Sequence, residues 1–279
     1  MLLAIDASTS WASLAIMDGQ HVLSHLDWNV GRQHSVEIFP QLEALLQAAG
    51  ITSLPINEIA PSPPAEGVGG WGHQISAIAV ATGPGSFNGT RVAVTVAKTL
   101  AFVWQVPLVG CSTLTGIAQA AVISAEIGMP LAEQGGTVLA VLEAGRDELY
   151  TCWYDLHIPS IINRAEDGAD HAPVVHPKGE IAIASVADVA ASALQGPVLL
   201  CGEISEAHQA GLQAALGTRL QVLLQPSDPH HTRAVGLGRQ AQLRLAAGDL
   251  DDALTLEPTY VRRPNITTSK RHPMPPSHE

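Results

Sequence analysis

The chain opens on an apolar run, Leu2 to Ile5, then a small polar turn around Ser8 to Ser10 and a second apolar run, Ala12 to Met17. Asp18-Gly19 gives a two-residue hairpin pattern, because glycine accepts the positive φ such turns require, and His21 to Trp28 reads as a third strand. A β-meander is predicted. The period then changes. Ile38, Leu42, Leu45 and Ala49 recur at i, i+4, i+7 and i+11, which predicts a helix stopped by Gly50. Ser35 is its candidate cap, and Pro40 would bend its second turn. Residues 52–74, rich in Pro and Gly, read as a mobile surface insertion.

Ile75 to Ala81 has the length of a buried strand. The loop GPGSFNG, Gly83 to Gly89, leads into a helix from about Thr90 to Trp104; Pro107 then breaks the chain to a short strand, Leu108 to Cys111. Ser112 can cap a further helix running to about Glu126. The order βββαβαβα predicts a mixed sheet with helices against it. From Thr137 onward, strands are expected at Val138 to Leu142, Glu148 to Leu156, Val198 to Cys201 and Leu220 to Leu224. Helices are expected at Ile181 to Leu194, Ser205 to Leu216 and Thr232 to Ala247. This order echoes the first half and suggests an internal duplication, although no repeat is visible residue for residue. The tail after Pro264 is polar, Pro-containing and expected to be disordered.

The helix after GPGSFNG carries apolar residues on two sides. Ala93, Val96, Ala97, Leu100 and Trp104 make one face; Val92, Thr95, Thr99 and Val103 make a second, small and weakly polar. Such a helix needs a cover on both sides, either a neighbouring helix of its own chain or another protein. Arg91 and Lys98 lie on a common stripe that could rim such a contact.

Composition narrows the function. Only 4% of the residues are aromatic, so the core must be built from Ala, Val, Leu and Ile. Fourteen basic residues against 26 acidic ones give a formal charge of −12, which repels polyanions, and no Lys/Arg stripe is present to release counterions. Strong direct binding of RNA is not expected. Cys111, Cys152 and Cys201 are odd in number, widely spaced and set in apolar strands, which fits buried reduced thiols in the cytoplasm. The N-terminus MLLAIDAST lacks the basic start of a signal peptide, and no apolar run reaches membrane-spanning length.

Site chemistry is sparse. Gly83, Gly85, Ser86 and Gly89 could turn backbone N–H groups toward an anion at a helix N-terminus, or simply let strand and helix pack closely; the GxGxxG spacing and the Walker lysine are both missing. Asp6 could hold a metal-bound water near a nucleotide or cap the following turn. His21 and His25 have HxxxH spacing but sit in a predicted strand, which separates them by about 13 Å. His230 and His231 have no evident third ligand. No catalytic motif or acid/base pair stands out.

Several segments resemble the TsaB family in the family's order: LLAIDASTSWASLAI at the start, RQHSVEIFPQLEALL, then ATGPGSFNGTRVAVTVAKTLAF with VGCSTLTGIA after it, and LEPTYVRR near the end. Asn88 and Thr90 depart from the usual loop, and EAGRDELYTCWY stands where Asp-Ala-Arg-x-x-Glu-Val-Tyr is expected. The resemblance implies an α/β, actin/Hsp70-like (ASKHA) fold of two ribonuclease-H-like lobes with mixed sheets flanked by helices. The lobes would be 1–110, completed by 232–262, and 111–231, with 263–279 as the tail. It further implies a scaffold subunit without catalytic residues or cofactor of its own. That subunit would pair with a TsaD-like catalytic partner through Ile38, Leu42, Leu45, Arg91, Val92, Thr95, Lys98, Thr99 and Val103. The complex transfers threonylcarbamoyl to adenosine 37 of tRNA with a TsaE-like ATPase, and ATP or ADP is possible at its interface. Homodimerisation through the same surface is expected when the chain is alone. The competing expectation is an ATP-dependent phosphotransferase or glycoprotease-like enzyme of the same fold.

Overall fold

The computed structural model describes residues 1–30, 34–51, 74–123, 125–158, 173–193, 196–223 and 233–262. Its first sheet is formed by β1 (Leu2–Asp6), β2 (Trp11–Asp18), β3 (His21–Asn29), β4 (Ala77–Ala81) and β5 (Leu108–Cys111), in the order β3-β2-β1-β4-β5. The meander pairs antiparallel, and β4 and β5 add parallel to β1.

Alternation along the strands splits this sheet into two chemically different faces. Leu3, Ile5, Ile78 and Val80 point toward α1 (His34–Ala48) and α2 (Phe87–Trp104). Ala4, Ala15, Ala77, Ala79 and Ala81 line the opposite face, where α7 (Arg233–Ala246) packs. The small side chains let α7 come close: a Cβ on Gly238 would lie 2.4 Å from the Met17 sulfur.

The second sheet contains β6 (Thr137–Gly145), β7 (Glu148–His157), β8 (Val174–Pro177), β10 (Val198–Glu203) and β11 (Leu220–Leu223), in the order β11-β10-β6-β7-β8. The short β9 (Ala182–Ala184) also pairs with β7. Read from β8, the sheet repeats the topology of the first: two antiparallel neighbours on one side of β6 and two parallel ones on the other. The duplication therefore exists in the fold where no residue-level repeat is visible. On one face α3 (Thr113–Val122) buries Leu114, Ile117 and Ala121 against Val138, Ala140 and Leu199. On the other, α5 (Val186–Ser192) and α6 (Glu206–Leu216) cover Leu139, Val141 and Leu200.

Several expected boundaries move: α2 begins at Phe87 rather than Thr90, and α1 at His34, which puts the expected cap Ser35 inside the helix. The helix begun at Ser112 ends at Val122, and α4 (Ala125–Glu133) follows as a separate helix with Pro130 inside it. The stretch from Ile181 starts as strand β9, with a capping box at Ser185 opening the shorter α5. Cys111 closes β5 of the first sheet, one residue beyond the expected end of that lobe. The 52–73 part of the insertion, His230, His231 and 263–279 lie outside the described residues.

Among the described residues the three cysteines are free and buried. Burial pushes the Cys111 thiol up to about 11, far from the thiolate a nucleophile needs. No helix among these residues is long and apolar enough to cross a membrane.

Candidate functional site

Two surfaces stand out: a cleft between the lobes and the outer side of the α1/α2 layer. The cleft begins at the end of β1, where Asp6 is buried. One of its carboxylate oxygens accepts from the Ser8 amide at 2.8 Å and from the Ser8 hydroxyl, so Asp6 caps the turn, as one of its two sequence readings proposed. The other oxygen lies 3.3 Å from Arg233 Nε.

The GPGS loop packs directly on that turn. A Cβ at Gly85 would fall 2.0 Å from the Ser8 carbonyl oxygen, and one at Gly83 would fall 2.8 Å from that of Thr259. The Ser86 amide donates to Ser8, and the Ser86 hydroxyl accepts from the Gly89 amide at 3.2 Å. The amides of Ser86, Gly89 and Thr90 are thereby used internally. Close approach to backbone thus calls for glycine at Gly83 and Gly85, and Ser86 caps the helix through the Gly89 amide.

Across the cleft, Glu203 ends β10 and Glu143 stands near the end of β6. Glu203 takes hydrogen bonds from Thr9 at 3.0 Å and from Arg233; burial nevertheless pushes its carboxyl above the ordinary value. Glu143 accepts from the Ser205 amide at 2.7 Å and pairs with His208 Nδ1 at 2.8 Å. Between these walls lies a cleft of about 580 Å³, lined by Thr9, Ser10, Ser86, Glu143, Tyr150 and Glu203 among others. Two carboxylates and several hydroxyls line its space, and Arg233 pairs with Glu203 behind it. The charged residues that line the cleft are Glu143 and Glu203, so an anion entering would meet like charge from these two walls. Among the described residues no group of three His, Cys, Asp or Glu could hold a metal ion. His21 and His25 both sit in β3, as expected.

The helix surface is different. On α2, Ala93, Val96 and Ala97 are buried against the sheet, while Arg91, Thr95 and Thr99 are exposed. Phe102 is 63% exposed and Val103 55%. Val92 is half-buried. Lys98 reaches back to the carbonyls of Leu254 at 3.2 Å and Leu256 at 2.8 Å, tying the C-terminal segment to the helix. Arg91 lies over the Phe87 ring, which in turn stacks on Tyr260 with centroids 5.1 Å apart.

Ile38, Leu42 and Leu45 require a correction. Each is only 2% exposed and packs into the chain's own core. They form the sheet-facing stripe of α1, so they cannot also present that stripe to a partner. The outward residue is Phe39, 54% exposed. Sequence reasoning missed Phe39, Phe87 and Phe102, yet a usable pattern was present. The chain has only three phenylalanines, and all three are exposed, on the two adjacent helices.

Comparison with known proteins agrees with this architecture. The family model described as TsaD: tRNA N6-adenosine threonylcarbamoyltransferase matches residues 72–269. The TsaB tRNA threonylcarbamoyladenosine biosynthesis protein of Escherichia coli K12 is 30% identical over 154 residues, 55% of this chain and 54% of that protein. The Haemophilus influenzae TsaB protein is 32% identical over 150 residues, 53% of this chain and 51% of its own. The chain thus spans about half the length of the curated relatives it matches. A crystal structure of an uncharacterised protein with similarity to peptidase YeaZ from Pseudomonas aeruginosa superposes with a TM-score of 0.64 at 25% identity, over 94% of this chain and 99% of that one. With the mixed sheets, the repeated lobe topology and a family match over well more than half its length, the chain belongs to the TsaD threonylcarbamoyltransferase family, with an actin/Hsp70-like fold and its near relatives among the TsaB proteins.

Proposed function

We propose that this chain is the non-catalytic scaffold subunit of a cytoplasmic complex that transfers threonylcarbamoyl to adenosine 37 of tRNA, and that it binds a TsaD-like catalytic partner through the outer face of α1 and α2. The observation that carries this is the exposure of Phe39 and Phe102, each more than half open to water on the same helix layer, beside a Phe87 already engaged by Arg91 and Tyr260. Exposed aromatics around a small-residue helix face are the usual anchors of a protein interface.

The cleft supports the same reading from the other side. A hydroxyl-lined space bordered by carboxylates, with its arginine neutralised, suits a subunit that does not itself bind polyphosphate. The formal charge of −12 suits one that leaves tRNA to its partner. A TsaE-like ATPase would join the assembled pair, with ATP or ADP held at the joint interface. The uncovered helix face would drive homodimerisation when the partner is absent.

The test is reconstitution. The chain and a TsaD-like protein should co-elute as a stable pair, and tRNA modification should require both. Full-rate modification without the chain would sink the proposal.

A further inference from the structure

The two lobes meet along α3 and α7, and the contact is made by glycines. A Cβ on Gly236 would lie 2.2 Å from the Gly116 carbonyl oxygen and 2.5 Å from the Ala120 amide nitrogen, so the helices cross backbone to backbone. Gln240 of α7 also donates to Gln119 of α3 at 2.6 Å and to the Val175 carbonyl of β8 at 3.3 Å, so this crossing holds the lobes together near the axis about which they could turn. One turn before it, at the start of α7, stands Arg233, only 8% exposed.

Its guanidinium is engaged by both lobes. From the first, Asp6 faces Nε at 3.3 Å, Thr9 accepts from one terminal nitrogen at 2.6 Å, and the Trp11 carbonyl accepts from the other. From the second, Glu203 accepts from the same nitrogen that reaches Thr9. Thr9 itself donates to Glu203 at 3.0 Å, directly across the cleft. The backbone of Arg233 is held as well, since the next amide, that of Ala234, donates to Ser13 at 3.0 Å. At the rim a second arginine repeats the pattern: Arg262, from the C-terminal segment anchored on the first lobe, pairs with Glu148 of β7 in the second.

We propose that Arg233 is a built-in interlobe clasp: its planar fork joins Asp6, Thr9 and Trp11 of one lobe to Glu203 of the other, fixing the opening of the cleft. The fork geometry explains the residue type. A guanidinium presents five donors in fixed directions, whereas a lysine ammonium at the same place cannot reach acceptors on both walls with comparable geometry. The clasp also places a permanent cation between two carboxylates of opposite walls, so the walls attract rather than repel. This inference does not depend on the proposed function.

The experiment measures the angle between the lobes in the full chain. Gln20→Cys on the β2–β3 turn and Ala215→Cys on α6 are exposed positions, one per lobe; the native cysteines are buried. Spin labels at these sites should give one narrow distance distribution by pulsed electron resonance. Arg233→Ala is expected to broaden it at least twofold and add a longer population, and Arg233→Lys to fall between. Glu203→Gln, which keeps a neutral acceptor, should broaden it in the same direction and carries the test if Arg233→Ala does not fold. Leu42→Ala, destabilised in the core of one lobe, should leave the distribution unchanged. An unaltered distribution in folded Arg233→Ala, or in Glu203→Gln where the former is unfolded, overturns the clasp, as does equal broadening in Leu42→Ala.

Discussion

Gly85 shows how little room the interlobe corner leaves. With the site of its missing Cβ 2.0 Å from a backbone oxygen, Gly85→Ala must displace either the loop or the β1–β2 turn. It should destabilise the chain by about 2 kcal/mol, in the range of overpacking, measured as a lower denaturant midpoint. The Glu143–His208 pair makes a second prediction. Its hydrogen bond to Glu143 holds His208 above its ordinary value of 6.5. Burial would raise Glu143, but the bonds from His208 and Ser205 outweigh it and hold the carboxyl below 4.5. The histidine's contribution is complete below 6.5 and lost as pH rises through its folded value; the carboxylate's is complete above 4.5 and lost as pH falls. The pair is therefore worth most between these limits, by under about 1 kcal/mol at so exposed a site. Unfolding midpoints should decline from pH 6 to pH 8 by more in the parent than in His208→Ala; equal slopes would contradict this. At this scale the sequence was partly legible. Asp-x-Ser is a local turn, so Asp6 could be read from its neighbours, whereas Glu143, Glu203 and Arg233 come together only through the packing of two lobes.

The elements divide in the same way. Helices α2, α6 and α7 and the long strands follow from periodicity, because each buries a face wide enough to leave a pattern. The short β8, β9 and α4 leave none: three or four residues do not establish a period, and Pro130 argues against helix in isolation. On α1 the period was read correctly but assigned to the wrong cover, since a stripe shows that something buries it and not what. Two substitutions separate the faces. Leu42→Ala removes a buried side chain and should cost about 2–5 kcal/mol of folding stability. Phe102→Glu, at a position 63% exposed, should change folding by less than about 0.5 kcal/mol yet weaken association with a TsaD-like partner at least tenfold, as loss of an aromatic anchor does. Titration calorimetry against melting curves would distinguish them, and a Phe102→Glu chain that binds as tightly as the parent would refute the assigned face.

At the scale of the whole molecule, the duplication was suggested by element order, although the second half read as β-β-α-β-α-β, one strand short of the first; β8, which completes the match, is too short to leave a period. What the order does not carry is the state of the cleft. Its carboxylates are paired with Arg233 and His208, and Gly83 and Gly85 of its loop are packed against backbone, which is why the proposed partner surface is placed on the outside of one lobe. The direct measurement is the initial rate of tRNA threonylcarbamoylation by a TsaD-like subunit as this chain is titrated in. The rate should rise from near zero and saturate with the parent chain, and the half-saturating concentration should increase at least tenfold with Phe102→Glu. A rate independent of the chain, or identical titrations for the two proteins, would contradict the assignment.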